Sequence, residues 1–341
     1  MGSSQSIRFS RLSLNDNQTP KNTRERLISL FRRSSLAAGL VHVLLAAFVL
    51  VEVIRRPWDV PFSVAYSKWT ETVENARCGE GNNTCTISLE QRDAGVFNIG
   101  LLVPLFSIVS GFHHLIAFGM MKLSDKYITD VEETGGNLYR AIDYALSSSL
   151  MIVVVSVLFR SPSDPTVLLL VAGVQVLICF TGYAIEVLKA TDANSAIPRY
   201  LFGVSIFVYA LLWTALLVPF VLAVSNAPAP VSVFIGFMVL VFSAFPIIFL
   251  VSWGYTGDRL IRRELLYTAA SFISKIPLLV LFYTGVVMRS GSVQFEGLDL
   301  NTDGDALSDE ELYGVFGGTV LASLLFGSII IVKARRIEAG K

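Results

Sequence analysis

The sequence predicts an all-α integral membrane protein, a bundle of eight apolar helices with one small extracellular β-hairpin. Three observations carry that prediction. Apolar residues make up 53% of the 341-residue chain and charged residues 16%, with a mean hydropathy of +0.61; soluble chains carry charge nearer to about a quarter of their residues. The apolar residues fall in blocks of about 20, the length that crosses a hydrocarbon core. Most charges gather between the blocks rather than within them. Net charge is zero, so composition suggests neither nucleic acid nor an acidic substrate as partner. The expected surroundings are membrane lipid.

In chain order, residues 1–34 form a basic tail whose polar, Ser-rich start favours disorder. Apolar runs then place spans at about 35–54, 96–120, 138–159, 165–188, 200–223, 231–253, 264–288 and 312–332. Arg24, Arg26, Arg32 and Arg33 before the first span, and "KARRIEAGK" after the last, put both termini in the cytoplasm, with the plasma membrane the expected location.

The first loop, 55–95, is then extracellular. It contains "ARCGEGNNTCTISLEQ", in which Cys78 and Cys85 bracket Gly and Asn turn residues before an alternating stretch. That pattern reads as a hairpin stapled by a disulfide, which needs an oxidising compartment. Asn82-Asn83-Thr84 is a glycosylation sequon, usable only outside. Cys179, within the fourth span, reads as packing.

The acidic loop 290–311 precedes the eighth helix and its cytoplasmic end, 312–341. Asp299, Asn301, Asp303 and Asp305 alternate around Gly304, and Glu310 follows. Oxygen ligands at such spacing suit calcium, though a merely solvated acidic loop would read the same.

Lys275 is the residue that composition alone does not explain. It lies inside "YTAASFISKIPLLVLFYTG", between Arg263 and Arg289, and so near a bilayer's middle. A lysine at that depth costs at least ~2.5–3.5 kcal/mol, and pairing or function normally accompanies it. Pairing with a carboxylate in a transport pathway and covalent attachment of an aldehyde both fit. The deep ionisable residues are His42, His113, His114, Asp143 and Lys275, whereas Glu52 and Glu186 lie near span ends where a charged head reaches water. All three histidines of the chain are therefore intramembrane. Asp143, only three residues after Arg140, sits nominally too shallow for Lys275 unless the third helix begins earlier and is sunk deeper.

These motifs resemble the heliorhodopsins, inverted-topology relatives of microbial rhodopsins. "LYRAIDYALSSSLMIVVV" in span three is similar to the family's Arg-x-x-Glu-Tyr-Ser-x-Ser-x-Ser-x-Met stretch. "SFISKIPL" in span seven matches a family Ser four residues before the retinal lysine, and "GLVHVLL" and "VSGFHHL" each carry a His where the family has one.

The resemblance implies a seven-helix rhodopsin-like bundle over 35–289 that binds all-trans retinal, with an eighth helix outside the family plan. Carried over, Lys275 would form the protonated Schiff base, Asp143 would be its counterion, and Ser271 a hydrogen-bond neighbour. Ser110, His114 and His42 would form a polar cytoplasmic-side cluster; His114 is preferred to His113 because Ser110 lies four residues before it. Asp143 stands where the family usually has Glu, one methylene longer, so its ion pair is expected to be longer or water-bridged. Tyr209, Trp213, Phe242 and Phe245 would line a polyene pocket, or serve as plain membrane core. Pro277 leaves the Ile273 carbonyl without its helical donor, which suits a bend there.

The implied function is light sensing rather than enzymatic catalysis, through an unidentified signalling partner and, by resemblance, as a homodimer. A light-driven proton transporter built from the same residues, and a retinal-free membrane enzyme or exchanger, are the alternatives. Against transport stands an outer half of "MIVVVSVLF", "LLVPFVLAV" and "PLLVLFY", with no carboxylate or histidine.

Overall fold

A computed structural model describes residues 21–71, 85–159, 164–191, 195–223, 229–284 and 309–339. Helix α1 (Lys21–Arg55) leads into an antiparallel hairpin of β1 (Asp59–Glu71) and β2 (Cys85–Asn98), and a single 3-10 turn then opens α2 (Leu102–Leu123). The short α3 (Lys126–Thr134) precedes α4 (Leu138–Phe159), α5 (Pro165–Thr191), α6 (Ile197–Ala223), α7 (Ala229–Val251), α8 (Asp258–Phe282) and α9 (Asp309–Glu338). Among the described residues, six helices are long and apolar enough to cross a membrane, and Ile235–Val251 of α7 is a shorter apolar one.

Packing follows from where the apolar faces lie. Around the bundle α1 packs on α2, α2 on α4, α4 on α5 and α5 on α6, while α8 fills the middle against α1 and α7. Nearly all of α8 from Leu260 to Phe282 is buried, whereas α5 and α6 turn Leu169, Leu177 and Phe207 outward, as helices facing lipid do. The eighth helix, α9, lies against α8 and α1, and Gly327 lets it approach closely: a Cβ there would meet Ile273 Cδ1 at 2.5 Å. The α1–α2 seam is equally tight. A Cβ on Gly111 would lie 2.7 Å from Val43, so glycine at 111 lets His42 and Ser110 face the same interior.

The two ends of the bundle differ. At one end the hairpin caps the core through Trp58, whose backbone N–H donates to Asn98 Oδ1 at 3.1 Å and whose ring packs on Phe282. Phe62 pairs with Gly95 and Ser63 with Asp93, so Ala94 bulges out of the ladder where Gly95 takes φ +100°. At the other end α3 tucks Tyr127, Ile128 and Val131 beneath the bundle and stops at Gly135, φ +68°.

Several expectations change in detail. The first helix begins at Lys21, inside the stretch expected to be a disordered tail, because Leu27 and Phe31 pack against the base of the bundle. The seventh span, α8, starts at Asp258 rather than 264, because Arg263 and Glu264 are paired inside the bundle rather than held at its surface, and its expected end at 288 lies outside the described residues. The hairpin is larger than the cysteine-flanked segment suggested: β1 alone spans Asp59–Glu71, and β2 runs past 95 to Asn98. Cys78 and the sequon lie outside the described residues, as does the side chain of Cys85, and so therefore does the expected disulfide. Asp299, Asn301, Asp303 and Asp305 lie outside them too, and Glu310 falls in the first turn of α9 with its side chain undescribed. Among the described residues no group of His, Cys, Asp and Glu is placed to hold a metal.

Candidate functional site

Lys275 sits in the middle of α8 with 2% of its surface exposed. Its Nζ donates to the Ser110 hydroxyl of α2, to Ser147 Oγ of α4 at 2.7 Å, and to both carboxylate oxygens of Asp143 at 3.3 Å. Ser110 in turn donates to Asp143 Oδ1 at 2.6 Å. The shorter aspartate faces the amine without an intervening group, at a separation longer than the about 2.7–2.9 Å of a close charge-assisted bond.

Side-chain direction resolves the mismatch in depth. Helix α4 begins at Leu138 as the sequence indicates, not earlier. The Glu264 and Lys275 Cα atoms are about 16 Å apart along α8, and those of Arg140 and Asp143 about 4.5 Å along α4. Side chains on a helix lean toward its N-terminus, so Lys275 and Arg140 both reach toward the α3 end, and Lys275 meets Asp143 while Arg140 meets Glu264.

Next to this pair lie the histidines. His42 Nδ1 is 2.9 Å from Ser107 Oγ, and its ring stacks on that of His114 with centroids 5.9 Å apart. Both rings are buried, and both Nε2 atoms lack a partner. His113 is more exposed than His114, so the choice of His114 for the interior agrees with the geometry. Ser271 is buried, yet its hydroxyl has no partner; Ser147, four residues after Asp143 on the same face, takes the place at the amine expected for Ser271.

One turn nearer the α3 end is a second ionic layer. Arg140 donates to both oxygens of Glu186 at 2.5 and 2.6 Å and pairs closely with Glu264. Arg263 lies 3.4 Å from Glu186 and 3.3 Å from Glu264, and it donates to the Gly135 carbonyl at 2.9 Å. Asn137 donates to Glu264 at 2.7 Å and to the Tyr127 hydroxyl at 2.8 Å. Burial, and the nearby Glu264 carboxylate, push the Tyr127 phenol well above its usual range. Glu186 is thus buried in an ion pair instead of reaching water, and Asp143 is not the only deep carboxylate. It is the one that faces the lysine. A small cavity lined by His113, His114, Asp143, Arg140 and Glu264 separates the two layers.

On its other side Lys275 opens into a largely apolar cavity between α4, α5, α6, α7 and α8, of about 1030 Å³ of empty space counted to its mouth. Tyr144, Met151, Tyr209, Phe242 and Phe245 line it. Trp213 does not: it stands behind the wall, edge-on to Phe242 at 5.4 Å and tilted against Tyr209 at 6.2 Å. Cys179 is a free thiol on the cavity wall, 3.6 Å from Ser148 Oγ, and so does more than fill space. The Gln175 amide donates to that same hydroxyl at 2.9 Å.

What the arrangement offers is a buried amine with one carboxylate opposite it, opening on a cavity that several aromatic rings line. A large apolar aldehyde suits such a cavity, and the positive nitrogen left after condensation would be balanced at once.

The family model described as Heliorhodopsin matches residues 31–287, well over half of the chain. Among curated proteins none matches. The matched stretch includes every residue around Lys275 named above and stops before α9.

Proposed function

This chain belongs to the heliorhodopsin family, and from that premise we propose that it is a light-sensing retinal photoreceptor whose chromophore is carried on Lys275. The family implies a retinal chromophore. Retinal, when bound, supplies an aldehyde that condenses with an amine, releasing water, and a polyene that absorbs visible light.

The observation that carries the reading is the double position of Lys275: Nζ faces Asp143 at 3.3 Å while the same side chain lines the ring-walled cavity. Asp143 acts as counterion, held in place by the Ser110 hydroxyl. Ser147 orients Nζ from the α4 side. Tyr144, 5.0 Å beneath the amine, adds the negative face of its ring. His42 and His114, with unpartnered Nε2 atoms beside this group, are where a proton released near Lys275 is received. The basic α1 start and α9 end make that side cytoplasmic.

Toward the hairpin the core is Met151, Ile152, Val155, Met238, Leu278 and Leu279, all buried and apolar. An isolated charge there costs several kcal/mol or more. The proton therefore returns by the way it left, without net transport.

Absorption spectroscopy of the purified chain with added all-trans retinal tests the reading. The parent is expected to develop a visible band, and Lys275→Ala to lose it while keeping the parent's circular dichroism. A retinal-bound visible band that persists in Lys275→Ala would sink the assignment.

A further inference from the structure

Outside the family-matched bundle, α9 makes a second concavity that photochemistry does not use. It is an open groove between the first turns of α1 and the last turns of α9, of about 1180 Å³ of empty space counted to its mouth. Four cations line it: Arg26 and Arg33 from α1, Lys333 and Arg336 from α9. All four are exposed, none has an ion pair among the described residues, and no acidic side chain lines the groove. Arg24, nearby on α1, makes the contrast: it points the other way and is matched by Glu132 at 2.9 Å and Asp258 at 3.3 Å.

The floor of the groove is not polar. Leu30, Phe326 and Ile329 line it, and the Phe326 ring is tilted against Phe272 of α8 with centroids 4.2 Å apart, on the side toward the bundle. Lys333 lies four residues beyond Ile329 on the same helix face, so along α9 the lining passes from Phe326 and Ile329 to the cations Lys333 and Arg336. A soluble anion would use the cations and leave the floor wet. A neutral lipid would use the floor and leave four charges unmatched. The molecule that satisfies both is amphipathic, with phosphate at the charged end and an acyl chain at the other.

We propose that the α1–α9 groove is a binding site for an anionic phospholipid of the leaflet that faces the basic end of the bundle. Its phosphate sits among Arg26, Arg33, Lys333 and Arg336, and one acyl chain runs over Ile329 and Phe326. The site exists only because this chain has α9: the family match ends at residue 287, and two of the four cations come from α9. It is independent of the retinal reading, since none of these residues touches the Lys275 cavity.

Native mass spectrometry of the full-length protein, stripped of lipid in detergent and titrated with phosphatidylglycerol or phosphatidylcholine, reads the site directly. The expected result is a saturable one-to-one adduct with phosphatidylglycerol, at least about tenfold tighter than with phosphatidylcholine. The double variant Arg33→Gln with Arg336→Gln should weaken it about tenfold or more, near the contribution of two surface cations. A control variant, Lys122→Gln with Arg335→Gln, removes the same charge outside the groove lining and should bind as the parent does. Equal weakening in both variants would reduce the effect to diffuse surface charge and overturn the proposal. So would displacement of the adduct by glycerol phosphate as readily as by whole lipid, which would make the groove a site for a soluble phosphate. Equal affinity for the two lipids would overturn it as well. All four substituted residues are exposed, and unchanged melting curves would exclude misfolding as the cause.

Discussion

Replacing Arg140 with methionine is the sharpest test of how the interior is held together. Methionine keeps the apolar stem but lacks the guanidinium tip, so one positive charge leaves a layer that otherwise sums to zero: Arg140 and Arg263 against Glu186 and Glu264. At about 3 Å and an effective dielectric constant near 20, each broken pair forfeits roughly 5 kcal/mol of attraction. Most of that is offset because arginine no longer has to be desolvated. What remains is the cost of a buried carboxylate without its partner, about 3–5 kcal/mol. Arg263 still touches both carboxylates, and Asn137 still donates to Glu264, so the lower end, about 3 kcal/mol, is expected. Thermal unfolding of the purified protein, followed by circular dichroism, should then begin about 5 °C or more below the parent. Arg140→Met combined with Glu264→Gln restores neutrality and should regain at least about half of that loss, a coupling typical of directly contacting charges. A single variant that melts within about 1 °C of the parent would refute the reasoning. A double variant no more stable than the single one would refute it too.

Three further outcomes are expected. Asp143→Asn keeps the shape of the side chain but removes the charge facing Nζ, so the visible band should vanish near neutral pH or move to longer wavelength; an unchanged spectrum would mean that another group serves as counterion. Gly111→Val drives new methyl groups into Val43 and the base of His42, and should cost about 1–3 kcal/mol and shift the band. Its control, Gly119→Ala on the same helix, meets open space and should change neither; similar effects from both would remove any special role for the α1–α2 seam. Under voltage clamp, illuminated cells expressing the parent should give at most a brief charge displacement, and a sustained photocurrent that disappears in Glu52→Gln would promote the transporter instead.

How legible the protein was depends on which interactions stay within one segment. Span 138–159 coincides with α4 because its start is marked locally: Gly135 and Gly136 break the chain, and Asn137 Oδ1 accepts the Arg140 backbone N–H at 3.1 Å. The start of span 264–288 falls short of α8's because a hydropathy reading expels Arg263 and Glu264 to the surface, whereas both are under 5% exposed and neutralised by residues from α4 and α5. No local pattern announces that Glu186 and Glu264, 78 positions apart in the chain, share two guanidiniums. Other misses were readable. Ser147 follows Asp143 by four residues and so lies on the same helix face. "KYITDVEET" carries Tyr127, Ile128 and Val131 at helical spacing, the signature of α3. "DVPFSVAY" alternates Val60, Phe62, Val64 and Tyr66, the signature of β1.

The ionic layer also bears on why a proton set free near Lys275 should stay inside. The hairpin side is closed by apolar packing, but the α3 side, lined with polar groups, looks open by composition. Pairing changes that. Both carboxylates of the quartet are already engaged by two guanidiniums, and Glu264 additionally by Asn137. To accept a proton, either would have to surrender charge-assisted hydrogen bonds, each worth about 1.5–3 kcal/mol. His42 and His114 would break no ion pair, since their Nε2 atoms have no partner, although burial makes a charged imidazole costly there as well. On the proposed reading, then, a proton leaving the Lys275 side meets the histidines before the quartet, and the quartet would act as a lid rather than a relay. This predicts that Arg140→Met, by freeing a carboxylate, opens the one route the parent lacks. Photocurrents no larger in that variant than in the parent would show that the barrier lies elsewhere.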